Sequence, residues 1–264
     1  MLKIQNVRKV FNAGTVNEKK ALKGLNLHLK PGEFVTVIGG NGAGKSTMLN
    51  ATAGVFGVDS GKIIIDGVDV THLPEYKRAK YIGRVFQDPM MGTAATMQIE
   101  ENMALAARRG KPRTLRSGIT AKEREEYRER LKILDLGLED RLTAKVGLLS
   151  GGQRQALTLL MATMQQPKLL LLDEHTAALD PKTASKVLEA TQRIVEASNL
   201  TTLMITHNMR DAIQYGNRLV MMYDGHIVVD VSGEEKKNLT VEQLLNLFSQ
   251  ASGSNEANDK LLLS

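Results

Sequence analysis

The sequence predicts an α/β fold in which a parallel sheet is combined with antiparallel strands and a helical region. Three patterns support this prediction. The apolar segment 34–38 leads into a glycine-rich stretch and then a helix-like segment, which is the strand, loop and helix order of α/β proteins. Segments 168–172 and 200–206 read as buried strands that are followed by charged or ionisable side chains. The segment 96–163 has a helical pattern instead.

The glycine-rich stretch 39–47 has the spacing of a P-loop, which is Gly, four residues, then Gly-Lys-Ser/Thr. Glycines let backbone N–H groups approach the oxygens of a triphosphate without a Cβ in the way. Lys45 is expected to reach the β- and γ-phosphates, and Ser46 to offer its hydroxyl to Mg²⁺. The residues predicted to bind ATP here are Gly39, Asn41, Gly42, Gly44, Lys45, Ser46 and Thr47. The sequence therefore predicts a P-loop NTPase core with ATP and Mg²⁺ as cofactors.

The composition sets limits on location and partners. The longest unbroken aliphatic run, 169–172, is far shorter than the roughly 20 residues that span a bilayer. The N-terminus lacks an apolar signal core, and the chain has no cysteine for disulfides or a zinc site. We therefore expect a cytoplasmic protein that does not cross the membrane. The net charge of +6 is compatible with nucleic acid, anionic lipid or nucleotide as a partner, but simple solubility is the favoured explanation.

The first third of the chain indicates a mixed sheet. Segment 4–11 alternates roughly as a strand, and segment 25–29 alternates leucines cleanly with polar residues. An Asp-Gly pair at 66–67 predicts a tight hairpin turn between two further strands. Phe11 is placed early enough to stack on a nucleotide base, although a single aromatic residue is equally expected in a core.

A strand-like segment that begins at Tyr81 breaks at Gln87, and an uncharged polar side chain at a strand end can ligate Mg²⁺ or orient water. In the helical region beyond it, Glu126 and Arg130 are spaced for an i,i+4 ion pair. A loop in this region is basic and has no acidic residue. Its basic residues are Arg108, Arg109, Lys111, Arg113 and Arg116. Two interpretations fit this loop: a solvated segment, or a contact with lipid headgroups or an acidic partner.

A second anion site is predicted where Leu-Ser-Gly-Gly-Gln at 149–153 precedes an apolar helix. Ser150 occupies the N-cap position, and Gly151 and Gly152 leave the first backbone N–H groups of the helix uncovered. One chain thus has two helix ends suited to phosphate. Either both ends serve one nucleotide within a chain, or two chains meet head to tail with the nucleotide between them.

Two carboxylates follow the most apolar predicted strand. Asp173 and Glu174 come at its carboxyl end, where ligands of open α/β sheets bind. Asp173 is predicted to hold Mg²⁺, and Glu174 to orient and deprotonate the attacking water. His207 ends the next parallel strand and is predicted to hydrogen-bond a γ-phosphate. The predicted catalytic residues are Glu174, His207 and Gln87, and the predicted Mg²⁺ ligands are Ser46, Gln87 and Asp173.

In this order the motifs resemble the ATP-binding subunits of ABC transporters, and the resemblance extends over nearly the whole chain to Phe248. The motifs are the glycine-rich loop 39–47, the Q-loop Gln87, the signature 149–153, the strand end 173–174, the D-loop 178–180 and the switch His207. The resemblance implies an α/β cassette with an antiparallel β subdomain and an inserted α-helical subdomain. It also implies one domain over 1–248, with the core at 1–92 and 164–248, the helical subdomain at 93–163, and a disordered tail at 249–264.

The resemblance further implies how the chain works. Two cassettes are expected to pair head to tail, so that the signature of one chain closes on the nucleotide of the other. The residues expected to join the nucleotide site in this way are Ser150, Gly151, Gly152, Gln153 and Asp180. Phe11 fits the base-stacking aromatic of the family, which is usually Tyr. The implied partners are a second ATP-binding subunit, transmembrane permease subunits and a solute-binding protein, with no nucleic acid. The implied location is peripheral, on the cytoplasmic face of the membrane.

One departure from the family pattern concerns the substrate class. The catalytic Glu is usually followed by Pro-Thr or Pro-Ser, whereas this chain has His175 and Thr176. Together with Gln-Arg-Gln-Ala-Leu at 153–157, this resembles a bacterial importer branch associated with uptake of amino acids, including aromatic ones. The implied function is therefore ATP hydrolysis that drives transport of a small solute.

Two other function classes were weighed against this interpretation. ABC ATPases of DNA repair or translation usually carry coiled-coil or zinc insertions, or two cassettes in one chain, and this sequence has neither feature. A protein that only binds nucleotide is disfavoured by the presence of both Glu174 and His207.

Methionines are concentrated after Gln87. They are Met90, Met91, Met97 and Met103, out of 12 in the chain. Either they fill a core, or they form an adaptable groove for a membrane partner.

Overall fold

A computed structural model describes residues 1–111 and 118–252, which form two sheets flanked by helices. The strands are β1 Leu2–Phe11, β2 Lys19–Leu29, β3 Phe34–Ile38, β4 Ser60–Ile65, β5 Val68–Asp69, β6 Ile82–Val85, β7 Leu169–Asp173, β8 Thr201–Ile205, β9 Arg218–Tyr223 and β10 His226–Ser232. The α-helices are α1 Lys45–Ala53, α2 Glu75–Arg78, α3 Ile99–Ala107, α4 Ala121–Lys132, α5 Gly151–Thr163, α6 Pro181–Ala197, α7 Met209–Gln214, α8 Gly233–Lys237 and α9 Val241–Ser252. No helix in the described ranges is long and apolar enough to cross a membrane.

The larger sheet has six strands in the order β10-β9-β3-β8-β7-β6. Every neighbouring pair from β9 to β6 is parallel, and only β10 runs antiparallel, against β9. Because parallel strands share one carboxyl edge, the chain leaves β3, β7 and β8 side by side at that edge. The predicted P-loop, the predicted carboxylates and His207 follow these three strands, so the sheet gathers them at one place.

The smaller sheet is antiparallel, with the order β2-β1-β4-β5. Its buried face packs together with α1 and with β3 in one apolar cluster, which includes Ile4, Leu27, Met48 and Val35. The strand pair β1–β2 ends with Phe11 opposite Lys19, and this register brings the start of β2 against the P-loop. The antiparallel sheet predicted from the alternating segments is therefore part of the wall of the nucleotide-binding region.

The last turn of α1 is held by a buried arginine. The guanidinium of Arg78 donates hydrogen bonds to the carbonyl oxygens of Ala51 (2.8 Å) and Thr52 (3.0 Å), where α-helix carbonyls lack intrahelical partners. Gly54 follows with φ +86°, and a Cβ there would lie 2.6 Å from Nε of Arg78. The helix that begins with Lys45 is thus anchored at its far end by a charged group that is 2% exposed.

The helical region lies between β6 and β7 in the chain, and its helices contribute side chains to a buried apolar cluster. Ile99 and Met103 from α3, Tyr127 and Leu131 from α4, and Leu157 from α5 are all buried in one cluster. The predicted i,i+4 ion pair is present, since Nη2 of Arg130 lies 2.9 Å from Oε1 of Glu126.

The structure sets the start of α6 and the end of α9, and part of the sequence discussed above lies outside the described residues. Helix α6 starts at Pro181, because the Asp180 side chain accepts a hydrogen bond from the backbone N–H of Thr183. Helix α9 continues through Ser252, so the first part of the expected tail 249–264 is helical. Residues 253–264, and Arg113 and Arg116 of the basic loop, lie outside the described residues.

Candidate functional site

The P-loop backbone adopts conformations that exclude side chains at two glycines. Gly39 has φ +151°, and a Cβ there would lie 2.3 Å from the carbonyl oxygen of Met222 in β9. Gly44 has φ +103°, and a Cβ there would lie 2.7 Å from the carbonyl oxygen of Ala21 in β2. Glycine is required at both positions, since positive φ is costly for other residues and the neighbouring backbone has no room to move. The loop is therefore held between the two sheets.

Lys45 is the first residue of α1, and its side chain folds back into the loop. Its Nζ donates to the carbonyl oxygens of Gly39 (2.5 Å) and Gly40 (3.2 Å), and the residue is only 5% exposed. Burial lowers the pKa of Lys45, and the negative charges of Glu174 and Asp173 oppose that shift. A buried ammonium held by two carbonyl oxygens and attracted by two carboxylates is suited to receive an anion.

Glu174 and His207 are in close contact at the carboxyl edge of the sheet. Oε1 of Glu174 lies 2.6 Å from Nε2 of His207. Because a carboxylate only accepts hydrogen bonds, Nε2 carries the proton. Nδ1 of His207 is buried and has no hydrogen-bond partner among residues 1–111 and 118–252. The imidazole would thus have to release the carboxylate before it could donate from Nε2 to a phosphate.

Glu174 also has an unusual backbone. Its φ of +46° lies in the left-handed region, which is uncommon for a residue with a Cβ. Its N–H donates to the carbonyl oxygen of Ile205 at the end of β8, with a distance of 3.1 Å. Strand β7 ends at Asp173, and this conformation turns the chain away from the strand at Glu174.

Asp173 forms one ion pair in the described part of the chain. Its Oδ2 lies 3.6 Å from Nη2 of Arg84 on β6, the adjacent parallel strand. Burial raises the pKa of Asp173, and the charge of Arg84 opposes this shift. Within the described residues no group of three or more His, Cys, Asp and Glu side chains is arranged to hold a metal. The predicted Mg²⁺ ligands, Ser46, Gln87 and Asp173, nevertheless fit that ion, because Mg²⁺ is commonly bound by one or two carboxylates together with substrate phosphates.

A cleft of about 170 Å³ opens at this edge of the sheet. It is lined by Lys19, Ala21, Asn41, Gly42, Ala43, Gly44, Lys45, Ser46, Thr47, Glu174 and His207. The structure therefore brings most of the predicted P-loop residues together with the predicted base and switch residues. Lys19 and Ala21 were not found by sequence reasoning. No motif marks them, and only the pairing of β1 with β2 brings them here.

Phe11 is not among the residues that line the cleft. Its ring packs edge-on against Phe56, with centroids 5.3 Å apart, and the ammonium of Lys9 lies 5.4 Å from its centroid. Phe11 is paired across the strands with Lys19, which does line the cleft. The Phe11 ring thus belongs to the strand next to a cleft residue, and it packs against the ring of Phe56.

The predicted second anion site lies elsewhere on the chain. Ser150 caps α5, since its Oγ accepts from the N–H of Gln153 and the Gln153 side chain accepts from the N–H of Ser150, each at 3.2 Å. A Cβ at Gly152 would lie 1.9 Å from Cγ2 of Thr183, and one at Gly151 would lie 3.3 Å from the side chain of Leu179. The start of α5 therefore packs against the start of α6. No residue of 150–153 lines the cleft, and neither does Asp180.

Gln87 is exposed and begins a surface segment that contains two exposed methionines. Met90 is 45% and Met91 is 68% exposed, whereas Met97 is half-buried and Met103 is fully buried in the core of the helical region. The two interpretations of the methionines thus apply to different residues. Met103 fills the core, and Met91 remains free to contact another protein.

His175 is buried behind the strand end. Its Nε2 lies 3.1 Å from the hydroxyl of Thr191 on α6, and that hydroxyl donates to the carbonyl oxygen of Val187 at 2.8 Å. Since the hydroxyl hydrogen is used there, Nε2 is the donor in the first contact. Burial lowers the pKa of His175 to about 4, so the ring is neutral near pH 7.

Comparison with known proteins identifies the family. The model of the ABC transporter family matches residues 22–177, more than half of the chain. The chain belongs to the ABC transporter family. Within it, the chain is an ATP-hydrolysing subunit that binds ATP, and the family resemblance and the α/β fold predicted from the sequence are confirmed.

Individual ABC proteins match over most of this chain. It is 46% identical over 251 residues to the tyrosine transport ATP-binding protein of Clostridioides difficile, which covers 95% of this chain and 100% of that protein. It is 33% identical over 241 residues to the spermidine/putrescine import ATP-binding protein of Pasteurella multocida, which covers 88% of this chain but 61% of that protein. A solved dimeric structure of an ATP-binding cassette in a post-hydrolysis state with ADP and Pi matches with a TM-score of 0.74 and 32% identity, covering 88% of this chain and 98% of that one.

Proposed function

We propose that this ABC ATPase binds MgATP between two copies arranged head to tail and uses its hydrolysis to drive import of a small solute through a membrane permease. The observation that supports the two-copy site is the separation of the two anion-binding helix ends. The cleft at the P-loop includes Lys45, Glu174 and His207 but no residue of 150–153. A second chain is needed to bring a signature segment to that cleft.

In this proposal the P-loop holds the phosphates. Lys45 gives up its hydrogen bonds to the carbonyl oxygens of Gly39 and Gly40 and binds phosphate oxygens instead. An ammonium that is already buried loses little hydration when it does so, and the resulting hydrogen bond is charge-assisted at both ends. Backbone N–H groups of the glycine-rich loop and of the first turn of α1 supply the remaining donors.

Glu174 is proposed as the general base. Its carboxylate is exposed to the cleft and is oriented by the 2.6 Å contact with Nε2 of His207. When a γ-phosphate is present, His207 is proposed to turn its Nε2–H to that phosphate, which frees the Glu174 oxygen to accept a proton from water. This exchange couples the presence of nucleotide to activation of the base.

Ser46, Gln87 and Asp173 are proposed to hold Mg²⁺ with their oxygen atoms. The ion, when bound, neutralises charge that develops on the transferred phosphoryl group. The contribution of the chain is to present a hydroxyl, an amide and a carboxylate oxygen at the ends of α1, β6 and β7. These are hard oxygen donors of the kind that Mg²⁺ requires.

The signature of the partner copy is proposed to close the site. Ser150, Gly151, Gly152 and Gln153 would present the start of α5 to the nucleotide, and Asp180 would support that surface by capping α6. The capping box at Ser150 keeps the helix start ordered in the single chain. Phe11 is proposed to contact the base only after it leaves Phe56, since the two rings pack against each other here.

The transported solute is proposed to be an amino acid, and an aromatic amino acid is the first candidate. The tyrosine transport ATP-binding protein reported above is 46% identical over 95% of this chain and over its own full length. The polyamine relative matches at 33% and is longer. The proposed partners are an identical second cassette, permease subunits and a solute-binding protein, with the cassettes peripheral on the cytoplasmic face.

The two-copy site is tested with Glu174→Gln, which keeps the shape of the side chain but removes the base. Hydrolysis should fall by about 10² or more, while ATP still binds. With ATP present, this variant should elute from size exclusion as a dimer, and without ATP it should elute as a smaller species. A second change, Gly151→Asp at an exposed position of the signature, should prevent the ATP-dependent dimer because it places a carboxylate at the partner's phosphates. A monomeric elution of Glu174→Gln with ATP would contradict the head-to-tail site.

A further inference from the structure

Arg84 contacts three elements that meet at the nucleotide site. Its Nη2 donates to Oδ1 of Asn50 on α1 at 2.6 Å and lies 3.6 Å from Oδ2 of Asp173 on β7. Its guanidinium carbon lies 4.5 Å from the ring centroid of Phe86, at the end of its own strand. The side chain is 13% exposed. One planar group thus touches the P-loop helix, the strand that ends in the carboxylates, and the strand that leads to Gln87.

The sheet explains why this arginine can reach both partners. Arg84 is paired with Leu171 in the parallel register of β6 and β7, two residues before Asp173. Its long side chain extends toward the carboxyl edge, where Asn50 faces it from the second turn of α1. That helix begins with Lys45 and Ser46, so the contact with Asn50 links the helix bearing these two residues to the strand bearing Asp173.

The arginine is buried at a cost. Its Nε is inaccessible to solvent and has no hydrogen-bond partner in the described part of the chain. A buried donor without a partner is destabilising, and the contacts of Nη2 with Asn50 and Asp173 offset part of that cost. The other acidic neighbour, Glu75, is 3.8 Å from Nη1 and has a side chain that is 55% exposed, which makes it a weak partner. The guanidinium is therefore directed chiefly at Asn50 and Asp173.

Asp173 needs such a neighbour because another cation competes for it. Lys45 is buried nearby and is attracted by both Asp173 and Glu174. A carboxylate with no other partner would be free to turn toward that ammonium. Arg84 lies beside Oδ2 of Asp173 from the adjacent strand β6. Asp173 forms no other ion pair within the described residues. The guanidinium is anchored on Asn50, so its positive charge is held at a fixed place beside the carboxylate.

We propose that Arg84 is a positioning residue, which holds the Asp173 carboxylate in the orientation that binds Mg²⁺ with the nucleotide. The inference rests on the proposed Mg²⁺ site. Groups that hydrogen-bond a metal ligand from behind orient it, and their loss typically lowers metal affinity by about 10–100-fold. Arg84 lies within ion-pair distance of Asp173, and Asn50 in turn accepts a hydrogen bond from Arg84.

The experiment compares ATP affinity with and without the metal, so that its readout is binding rather than turnover. Isothermal titration calorimetry with ATP in MgCl₂ and with ATP in EDTA gives the gain in affinity that Mg²⁺ provides. The variants are Arg84→Met, which keeps the length without the charge, and Arg84→Lys, which keeps the charge without the fork. Glu75→Gln is the matched control, since it removes the exposed neighbour of the same guanidinium. Thermal unfolding of each variant reports on the fold separately.

Arg84→Met should reduce the Mg²⁺-dependent gain by about tenfold and leave the affinity in EDTA within about twofold of wild type. Arg84→Lys should reduce the gain by a smaller factor, and it carries the test if the Met variant does not fold. Glu75→Gln should behave as wild type. A gain that is unchanged or larger in the Arg84 variants, or a parallel loss in MgCl₂ and EDTA, overturns the positioning role. If wild type itself shows no Mg²⁺-dependent gain, the proposed metal site fails, and this outcome is distinct from failure of Arg84 alone.

Discussion

The side-chain amide of Gln155 donates a hydrogen bond of 3.1 Å to the carbonyl oxygen of Phe86, the residue before Gln87. Gln155 is fully buried in α5, two residues after the signature, while Phe86 directly follows β6. This bond joins the helix that bears the signature to the segment that bears Gln87. We therefore expect a movement of one segment to affect the other.

Replacing Gln155 by Leu should test this link. The change removes the donor to the Phe86 carbonyl but also removes Oε1 of Gln155, which is buried without a partner among the described residues. The two effects oppose each other, so the free energy of unfolding should fall by only about 1 kcal/mol. ATP binding should stay near wild type, whereas stimulation of hydrolysis by the permease should fall. Urea denaturation and ATPase assays with and without permease separate the two effects. Full stimulation in Gln155→Leu would show that the bond is structural only.

Lys45→Ala should weaken ATP binding as well as turnover. The change removes a charge-assisted contact to the phosphates, which is typically worth about 1.5–3 kcal/mol, or roughly 10–100-fold in affinity. Lys20→Ala is the matched control, because Lys20 is an exposed lysine beside the cleft residue Lys19. Titration calorimetry with ATP measures the effect. Near wild-type affinity and hydrolysis in Lys45→Ala would contradict the assignment of the P-loop.

His175 should make the stability of the protein depend on pH. Its pKa in the folded state is about 4, lowered by burial from an ordinary value of 6.5. As pH falls below 6.5 the unfolded chain binds a proton that the folded protein does not, so stability is lost down to about pH 4. The loss should approach about 3 kcal/mol, since one pKa unit corresponds to about 1.4 kcal/mol.

Urea denaturation between pH 7 and pH 4 checks this expectation. In His175→Gln the loss of stability between pH 7 and pH 4 should be smaller than in wild type by about 3 kcal/mol. The glutamine side chain can still donate a hydrogen bond to Thr191. His72→Gln changes an exposed histidine and serves as the control. Identical pH profiles for wild type and His175→Gln would show that the buried ring does not control this stability.

Met91→Glu should separate hydrolysis from assembly. Met91 is exposed on the segment that follows Gln87, so a carboxylate there has no folding cost and should leave the basal ATPase within a few-fold. Assembly with the permease should be lost, since an adaptable apolar contact is replaced by a charge. Tyr76→Glu, at another exposed apolar residue on α2, should leave assembly intact. Co-purification with the permease is the measurement, and retained assembly in Met91→Glu would locate the docking surface elsewhere.

Local chemistry in the sequence predicted the candidate functional segments. The strand, glycine loop and helix order at 34–53 was predicted because glycine spacing and an apolar strand are short-range signals. Ser150 was predicted as an N-cap on the same basis, and the structure has that cap. The strand end at Asp173 and Glu174 was predicted from a run of leucines followed by acids. In each case the deciding interactions lie within a few residues of the chain.

Only the tertiary structure decided which side chains meet. Lys19 reaches the cleft through the register of β1 with β2, and Phe11 contacts Phe56 across a long chain separation. Arg84 meets Asp173 because β6 and β7 are neighbours in the sheet, although the whole helical region separates them in sequence. Periodicity specifies each strand by itself, and a tight turn such as 66–67 pairs only strands that are neighbours in sequence. Neither signal shows which distant strands pair, because that depends on packing of the complete core. The sequence by itself therefore determined the elements and their chemistry, and the packing of the two sheets decided the contacts among them.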